Sequence, residues 1–213
     1  MVRCKGFIVT MFFLLVSMLN AQPGNIDESF NINLGFTSSV LVVAEQDDGK
    51  IVIGGNFLSF NGENASNILR LNSDGTLDES FDVGSGTNNT VWDIKIDKNN
   101  KIIIVGYFTT YNGTTAEYIA RLNPDGTLDS SFDTGIGFTT NGGGAVFSVD
   151  ILPNENLVLG GRFGIFQNEI KKQVVVLNPD GSLNNSFNFE DAIGNLYSNF
   201  VPIYKVLALP DGK

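Results

Sequence analysis

Carboxylates are the side chains of this sequence best suited to catalysis, because other common catalytic groups are scarce. The chain of 213 residues has 23 Asp and Glu against 13 Lys and Arg, no histidine, and one cysteine, Cys4. Nucleophilic triads and zinc sites built on His or Cys are therefore excluded. A carboxylate pair could still cleave a glycosidic bond, and the acidic residues in or beside the longer loops are Glu63, Asp82, Glu117, Asp133, Glu169, Glu190 and Asp191. Their linear order brings no two of them together, so a glycan-cleaving enzyme is an alternative interpretation only.

Arginine and aspartate recur together at a constant spacing. Arg70 is followed eight positions later by Asp78, and Arg121 by Asp129. A third copy of the same segment has valine and asparagine in these two places. Because both charges disappear together, the pattern predicts an ion pair between arginine and carboxylate within each of the first two copies, with a structural role.

Residues 72–78 resemble a calcium loop in one respect, since oxygen-bearing side chains alternate around a glycine. The terminal glutamate of an EF-hand is absent, however, and a hairpin turn explains Asp74 and Gly75 without a metal. The sequence therefore predicts no cofactor, with calcium as the alternative.

The elements that position these side chains are copies of one unit. The segment 70–81 returns as 121–132 and, weakened, as 176–187. The distance from Val40 to Phe81 is 41 positions, and units of the same length begin at Val91 and Val146, whereas the connectors between units vary in length. A unit of constant length joined by variable connectors indicates a folded object with surface loops.

Each unit is predicted to contain four short strands. In the second unit they fall at 91–96, 102–106, about 118–122 and 128–132, and the second of them is a continuous apolar run, as in strands covered on both faces. Tight turns are predicted at 48–49 and 123–126. The expected fold is all-β and β-propeller-like, with tandem four-stranded antiparallel blades, three of them full and others partial. A β-helix is the alternative, and it would not explain two hairpin turns in every unit.

The combined motif resembles the delta-60 repeat, an uncharacterised β-propeller family of exported bacterial proteins. Its clearest copy consists of residues 48–50, 54–57 and 70–81, and the resemblance covers roughly residues 24–213. The resemblance implies a propeller and no assigned activity. The third unit departs from the motif, with Asn156, Val176 and Asn184 in place of Lys, Arg and Asp.

The start of the chain predicts export. Arg3 and Lys5 precede an apolar run over 7–19, which is short for a membrane span, and Ala21 suits cleavage before Gln22. We therefore expect a secreted or cell-surface bacterial protein with no membrane span after cleavage. The predicted segments are a signal peptide (1–21), an N-terminal closing strand and connector (22–39), three blades (40–81, 91–132 and 146–187) and the start of a truncated fourth blade (203–213). Because that blade would be incomplete, we expect the same polypeptide to continue beyond Lys213.

The charge and the loops together favour a binding role. A net charge of −10 is the wrong sign for a general nucleic-acid or anionic-membrane binder. Alternating strand direction places the loops between strands 2 and 3 on the same face as the connectors, where amides beside aromatic rings suit a glycan or protein ligand. The candidate ligand-facing residues are Phe60, Asn61, Tyr111, Asn112, Phe166 and Asn168. Alternatively, the three aromatic residues only plug the blade ends.

The predicted function is therefore an exported, non-catalytic binding or display scaffold. The alternatives are part of a carboxylate-based carbohydrate enzyme and a purely structural spacer.

Overall fold

The computed structural model describes residues 30, 33–139, 144–171, 173–187 and 202–210. The predicted signal peptide, residues 27–29 of the predicted closing strand, Glu190 and Asp191 lie outside this part of the chain. The strands of the first unit are β1 (Ser39–Glu45), β2 (Ile51–Asn56), β3 (Ser59–Phe60), β4 (Glu63–Asn64) and β5 (Ile68–Leu71). Those of the second unit are β6 (Val91–Ile96), β7 (Ile102–Gly106), β8 (Thr110–Tyr111), β9 (Thr114–Thr115) and β10 (Ile119–Leu122). The connector before the third unit contains β11 (Phe138–Thr139), and the third unit contains β12 (Ala145–Ile151), β13 (Leu157–Arg162), β14 (Ile165–Phe166), β15 (Glu169–Ile170) and β16 (Val174–Leu177).

Each unit forms one antiparallel blade. The strand orders are β1-β2-β5, β6-β7-β10 and β12-β13-β16, so each strand pairs with the next long strand along the chain. The predicted fold class, all-β with incomplete propeller blades, is confirmed.

The fourth strand of each blade is shorter than predicted. It consists of one bridge, between Leu122 and Leu128 in the second blade, with equivalent bridges in the other two. The chain then bends, because Oδ1 of Asp129 accepts hydrogen bonds from the backbone N and the Oγ of Ser131 (3.0 and 2.7 Å). A side chain that binds the backbone two residues ahead stabilises a turn rather than a strand.

The central strand of the second blade is buried on both faces. Ile102 and Ile104 belong to one apolar cluster with Val52 of the first blade. Ile103 and Val105 belong to another cluster with residues of the third blade, including Val149. The prediction of a strand covered on both faces is confirmed, and each such buried isoleucine stabilises the fold by about 1.5–3 kcal/mol.

The first strands of successive blades lie side by side and form what we call the inner edge. β6 packs against both β1 and β12. Residues 202–210 continue this edge, since the backbone N of Val206 donates to Ser148 Oγ and that of Ala208 to Asp150 Oδ2 (3.3 and 2.8 Å).

The connectors run onto the small hairpins that follow each second strand. Phe36 bridges to Phe60, Thr87 to Tyr111, and Phe138 to Phe166. Each connector therefore pairs with the hairpin at its aromatic residue and extends the two-stranded hairpin by one short segment.

Candidate functional site

The structure brings the predicted arginine and aspartate together in the first two blades. Arg70 Nε donates to Asp78 Oδ2 at 2.7 Å, and Arg121 Nε donates to Asp129 Oδ2 at 2.6 Å. A lysine joins each pair, with 2.6 Å between Lys101 Nζ and Asp129 Oδ2. Burial alone would raise the pKa of Asp129, but hydrogen bonds from Lys101, Ser131 and Arg121 hold it well below its usual range.

The arginines also link each blade to the next one. Arg70 Nη1 donates to the carbonyl oxygen of Pro124 in the second blade, and Arg121 Nη1 donates to that of Pro179 in the third. The guanidinium of Arg121 lies 4.8 Å from the centre of the Phe132 ring. These clusters therefore stabilise the stacking of blades. The third blade has Val176 in the arginine position, and it packs in an apolar cluster instead.

Clefts open between neighbouring blades above these clusters. Arg121 and Lys101 line a cleft of about 510 Å³, and Arg70 lines one of about 420 Å³. Each of these cations is bound to a carboxylate, since Arg121 and Lys101 share Asp129 and Arg70 is bound to Asp78, so none of the three is unpaired.

The three aromatic residues predicted as ligand-facing are buried. Phe60, Tyr111 and Phe166 are each 1% exposed or less. A connector pairs with the backbone of each of them, and the connector rings of Phe36 and Phe138 lie 4.8 and 4.7 Å from those of Phe60 and Phe166. A ligand-facing role is therefore wrong for these side chains. Their buried position agrees with the alternative that they plug the blade ends.

The predicted amides hold the connectors rather than presenting an open surface. Asn61 Oδ1 accepts a hydrogen bond from the backbone N of Gly35 at 2.9 Å, and Asn112 Oδ1 accepts one from Ser85 N at 3.1 Å. In the third blade the equivalent residue is Gln167, whose Nε2 donates to Thr134 O at 2.9 Å. Asn168 instead takes the place of a glycine of the other units, and it is exposed with a left-handed φ of 65°.

The buried phenol of Tyr111 is a testable feature of this packing. Its hydroxyl donates to the carbonyl oxygen of Gly126 at 2.5 Å. Burial, together with the charges of Asp82 and Asp125, raises the pKa of Tyr111 far above its usual value. We expect Tyr111→Phe to lower the free energy of unfolding by about 1 kcal/mol and to leave the tyrosinate absorbance of the folded chain near pH 11 unchanged. Tyr204→Phe, at a residue 70% exposed, is the control and should leave stability unchanged. A loss of tyrosinate absorbance in Tyr111→Phe would contradict the assignment.

Four of the candidate catalytic carboxylates have separate local partners or positions in the structure. Asp82 and Asp133 each accept a hydrogen bond from the glycine two residues ahead, Gly84 N and Gly135 N, which closes a turn. Glu169 pairs with Lys171 at 3.0 Å, and Glu63 is exposed on β4. In the described residues, no three His, Cys, Asp or Glu side chains lie close enough together to hold a metal ion.

The supposed calcium loop is also a turn. Asp74 Oδ1 accepts hydrogen bonds from the backbone N and the Oγ of Thr76, at 3.0 and 2.6 Å. The hydrogen bonds from Thr76 lower the pKa of Asp74. One carboxylate oxygen of Asp74 is therefore engaged inside the hairpin.

An aromatic cluster on the inner edge is the feature best suited to binding. We call Trp92, Tyr107, Phe147 and Tyr204 the aromatic row. The Phe147 ring is 5.7 Å from Trp92, 5.7 Å from Tyr107 and 5.1 Å from Tyr204, with which it is stacked. Trp92 is 37% and Tyr204 70% exposed, whereas Phe147 is buried between them. The row thus presents aromatic surface contributed by two blades and the segment 202–210.

A β-bulge explains why these side chains leave the sheet. The pairing register shifts between Val91 and Asp93 and again between Val146 and Ser148. Trp92 and Phe147 are therefore the extra residues of their strands, and bulges redirect side chains in this way. Tyr204 has the same position in its unit. Sequence reasoning missed the row, although two adjacent apolar residues at the start of an alternating strand were a signal for it.

A polar network beneath the row holds its parts together. The buried carboxylate of Asp93 accepts hydrogen bonds at Oδ2 from Ser148 Oγ and Lys205 Nζ, each at 2.9 Å. One side chain therefore connects the second blade, the third blade and the segment that carries Tyr204. Such cross-links fix the relative positions of the rings before any ligand binds.

Comparison with known proteins agrees with this architecture. Two stretches of the chain match a β-propeller family model. The model is described as a domain of unknown function, DUF5122 beta-propeller, and the matched residues are 46–81 and 98–132. Both stretches keep the cluster of lysine, arginine and aspartate. This description does not include the delta-60 name, so that assignment stays a prediction.

No curated protein matches the chain. Within the described ranges, the structure has no helix with the length and apolar character that crossing a bilayer requires.

Proposed function

We propose that this chain is a non-catalytic, glycan-binding β-propeller module of an exported protein, and that the aromatic row is its binding surface. The observation that supports this function is the exposure of Trp92 and Tyr204 on the inner edge, at 37% and 70%. Large exposed aromatic groups in a contiguous cluster are typical of interaction sites.

The shape and chemistry of the row favour a glycan over a protein. The face of a sugar ring that carries C–H groups packs against the electron-rich face of an aromatic ring. Trp92 and Tyr204 are exposed on either side of the buried Phe147, so each of the two can pack against a different unit of a linear chain. The network around Asp93 keeps the rings in place, which lowers the entropy cost of binding.

The predicted signal peptide and the acidic surface charge fit an exported module. In this proposal the chain displays the aromatic row from a secreted or cell-surface protein, as part of a longer polypeptide. A mature N-terminus at Gln22 after secretion is the direct check of export.

Carboxylate catalysis is less well supported. A glycosidase needs one carboxyl group whose pKa is raised so that it can act as an acid. Among the described residues, the aspartates whose pKa departs clearly from the ordinary value all have it lowered by hydrogen bonds, as at Asp78 and Asp150, where these outweigh burial.

The test is a glycan array followed by titration with the glycans that bind. Trp92 is the only tryptophan of the chain, so its fluorescence reports binding at the row in the intact chain and in Tyr204→Ala, while calorimetry measures binding in Trp92→Ala. We expect Trp92→Ala and Tyr204→Ala each to weaken binding about tenfold or more. Leu58→Ala is the control, because Leu58 is 71% exposed and lies outside the row.

Glycan binding that both aromatic variants leave unchanged would refute this location. Release of reducing sugar by the intact chain would favour the enzyme interpretation, and a protein ligand that competes with the glycan would show that the row is not specific for sugars.

A further inference from the structure

One arginine beside the aromatic row differs from the arginines of the blade clusters. Arg162 ends β13, and it stands where the second blade has Tyr107 and the first has Asn56. Its side chain is exposed, and its guanidinium carbon lies 5.9 Å from the centre of the Tyr107 ring. The charge is therefore part of the same surface as the rings.

The charge of Arg162 is not balanced by a neighbouring carboxylate. In the ranges that the structure describes, none lies within 4.0 Å of it. Arg70 and Arg121, by contrast, are each bound to an aspartate. The other cation near the row, Lys205, is bound to Asp93 at 2.9 Å. Arg70, Arg121 and Lys205 are each bound to an aspartate, whereas the N–H groups of the Arg162 guanidinium can bind a ligand.

We infer that the ligand of the aromatic row is a glycan whose sugars carry carboxylate groups, and that Arg162 binds one of these carboxylates. This inference rests on the proposed function and adds the chemical class of the ligand. The planar guanidinium matches a carboxylate with two parallel hydrogen bonds, while the sugar ring packs on the neighbouring aromatic rings. The chain has a net charge of −10, so an anionic ligand is repelled in general and gains attraction at this local cation.

The experiment compares two ligands that differ in whether their carboxyl groups are free or esterified. Oligogalacturonate and its methyl ester have the same sugar backbone, but the ester has no free carboxylates. We expect the intact chain to bind oligogalacturonate about tenfold more tightly than the ester, and Arg162→Gln to remove this preference. Arg162→Lys should restore only part of it, because a lysine has no planar pair of donors. Added salt should reduce the preference in the intact chain.

Lys98→Gln is the matched control. It removes one positive charge from an exposed turn at the other end of β6, so it changes the net charge equally without touching the row. This variant should keep the preference for oligogalacturonate. Thermal unfolding of Arg162→Gln should match that of the intact chain, since the side chain is exposed.

The outcomes separate this inference from the proposed function. Equal binding of acid and ester, with Arg162→Gln silent and Trp92→Ala still damaging, would overturn the carboxylate inference and leave glycan binding standing. Tighter binding of sulfated or neutral glycans than of oligogalacturonate would also overturn it. If no glycan on the array binds, the inference and the proposed function are both refuted.

Discussion

Replacement of Asp129 by asparagine is expected to lower the free energy of unfolding by about 2–3 kcal/mol. The substitution leaves Arg121 and Lys101 near each other without the carboxylate that both now contact at 2.6 Å. Removing one partner of a buried ion pair is costly because the remaining charge stays desolvated. Lys101 is 27% exposed, so water compensates in part, and the expected loss is smaller than for a fully buried pair. Chemical denaturation followed by Trp92 fluorescence measures it.

The third blade supplies the matched control for this variant. It has Asn156, Val176 and Asn184 in the places of Lys101, Arg121 and Asp129, and it forms the same sheet. The triple variant Lys101→Asn, Arg121→Val, Asp129→Asn removes all three charges together. It should therefore be more stable than Asp129→Asn alone. A triple variant less stable than the single one would contradict this account of the cluster.

The clusters around Asp78 and Asp129 make the free energy of unfolding depend on pH. Burial opposes ionisation of Asp78 and Asp129, but their hydrogen bonds outweigh it and lower both pKa values in the folded chain. A carboxyl group with a lowered folded pKa contributes stability above its unfolded pKa of ~3.9, and this contribution is lost as the pH falls towards the folded pKa. The intact chain should therefore lose stability below about pH 4. The triple variant should lose less over the same range, because Asp129 no longer contributes.

Gly106→Ala is expected to destabilise the chain by about 3 kcal/mol. A Cβ atom at this position would lie 2.0 Å from the carbonyl oxygen of Thr90, which is backbone and cannot move aside cheaply. Gly55 and Gly161, at the same position of the other blades, meet a carbonyl oxygen at 2.2 Å. The close approach occurs beside the bulge, so the glycine and the projection of the bulged residue belong to one backbone arrangement.

The control for this prediction is Gly113→Ala. Nothing lies within 4 Å of a Cβ atom there, and the only cost is the left-handed φ of 75°, about 1–2 kcal/mol. Gly106→Ala should also change the fluorescence of Trp92, the bulged residue of the paired strand, whereas Gly113→Ala should not. Equal stability of the two variants would show that the strands can separate at the bulge without cost.

The two ends of the blades carry different kinds of side chain. The tight turns carry the clusters of Lys, Arg and Asp, which join each blade to the next through carbonyl oxygens of Pro124 and Pro179. The opposite end carries the bulges and the aromatic row. Substitutions in the clusters of Lys, Arg and Asp should therefore change stability, and substitutions of the exposed rings Trp92 and Tyr204 should change binding.

Local pattern predicted the features that depend on local contacts. The constant 41-position unit, the apolar run at 102–106 and the turns at 48–49 and 123–126 follow from hydrophobic periodicity and turn chemistry. The pairing of Arg121 with Asp129 was also predictable, because the third unit lost both charges together. The burial of Tyr111 was not decided by the sequence, since the ring lies in an apolar cluster that joins the first two blades and its hydroxyl reaches the carbonyl oxygen of Gly126.

The sequence by itself therefore determined a repeated antiparallel β-unit and its internal ion pair, because residues within one hairpin meet wherever that hairpin forms. Only the tertiary structure decided the candidate site. Trp92, Phe147 and Tyr204 lie more than 50 positions apart from one another, and they meet because successive blades stack with their first strands side by side. A register shift of one residue at each of two bulges turns Trp92 and Phe147 out of the sheet, and strand periodicity alone does not specify that shift.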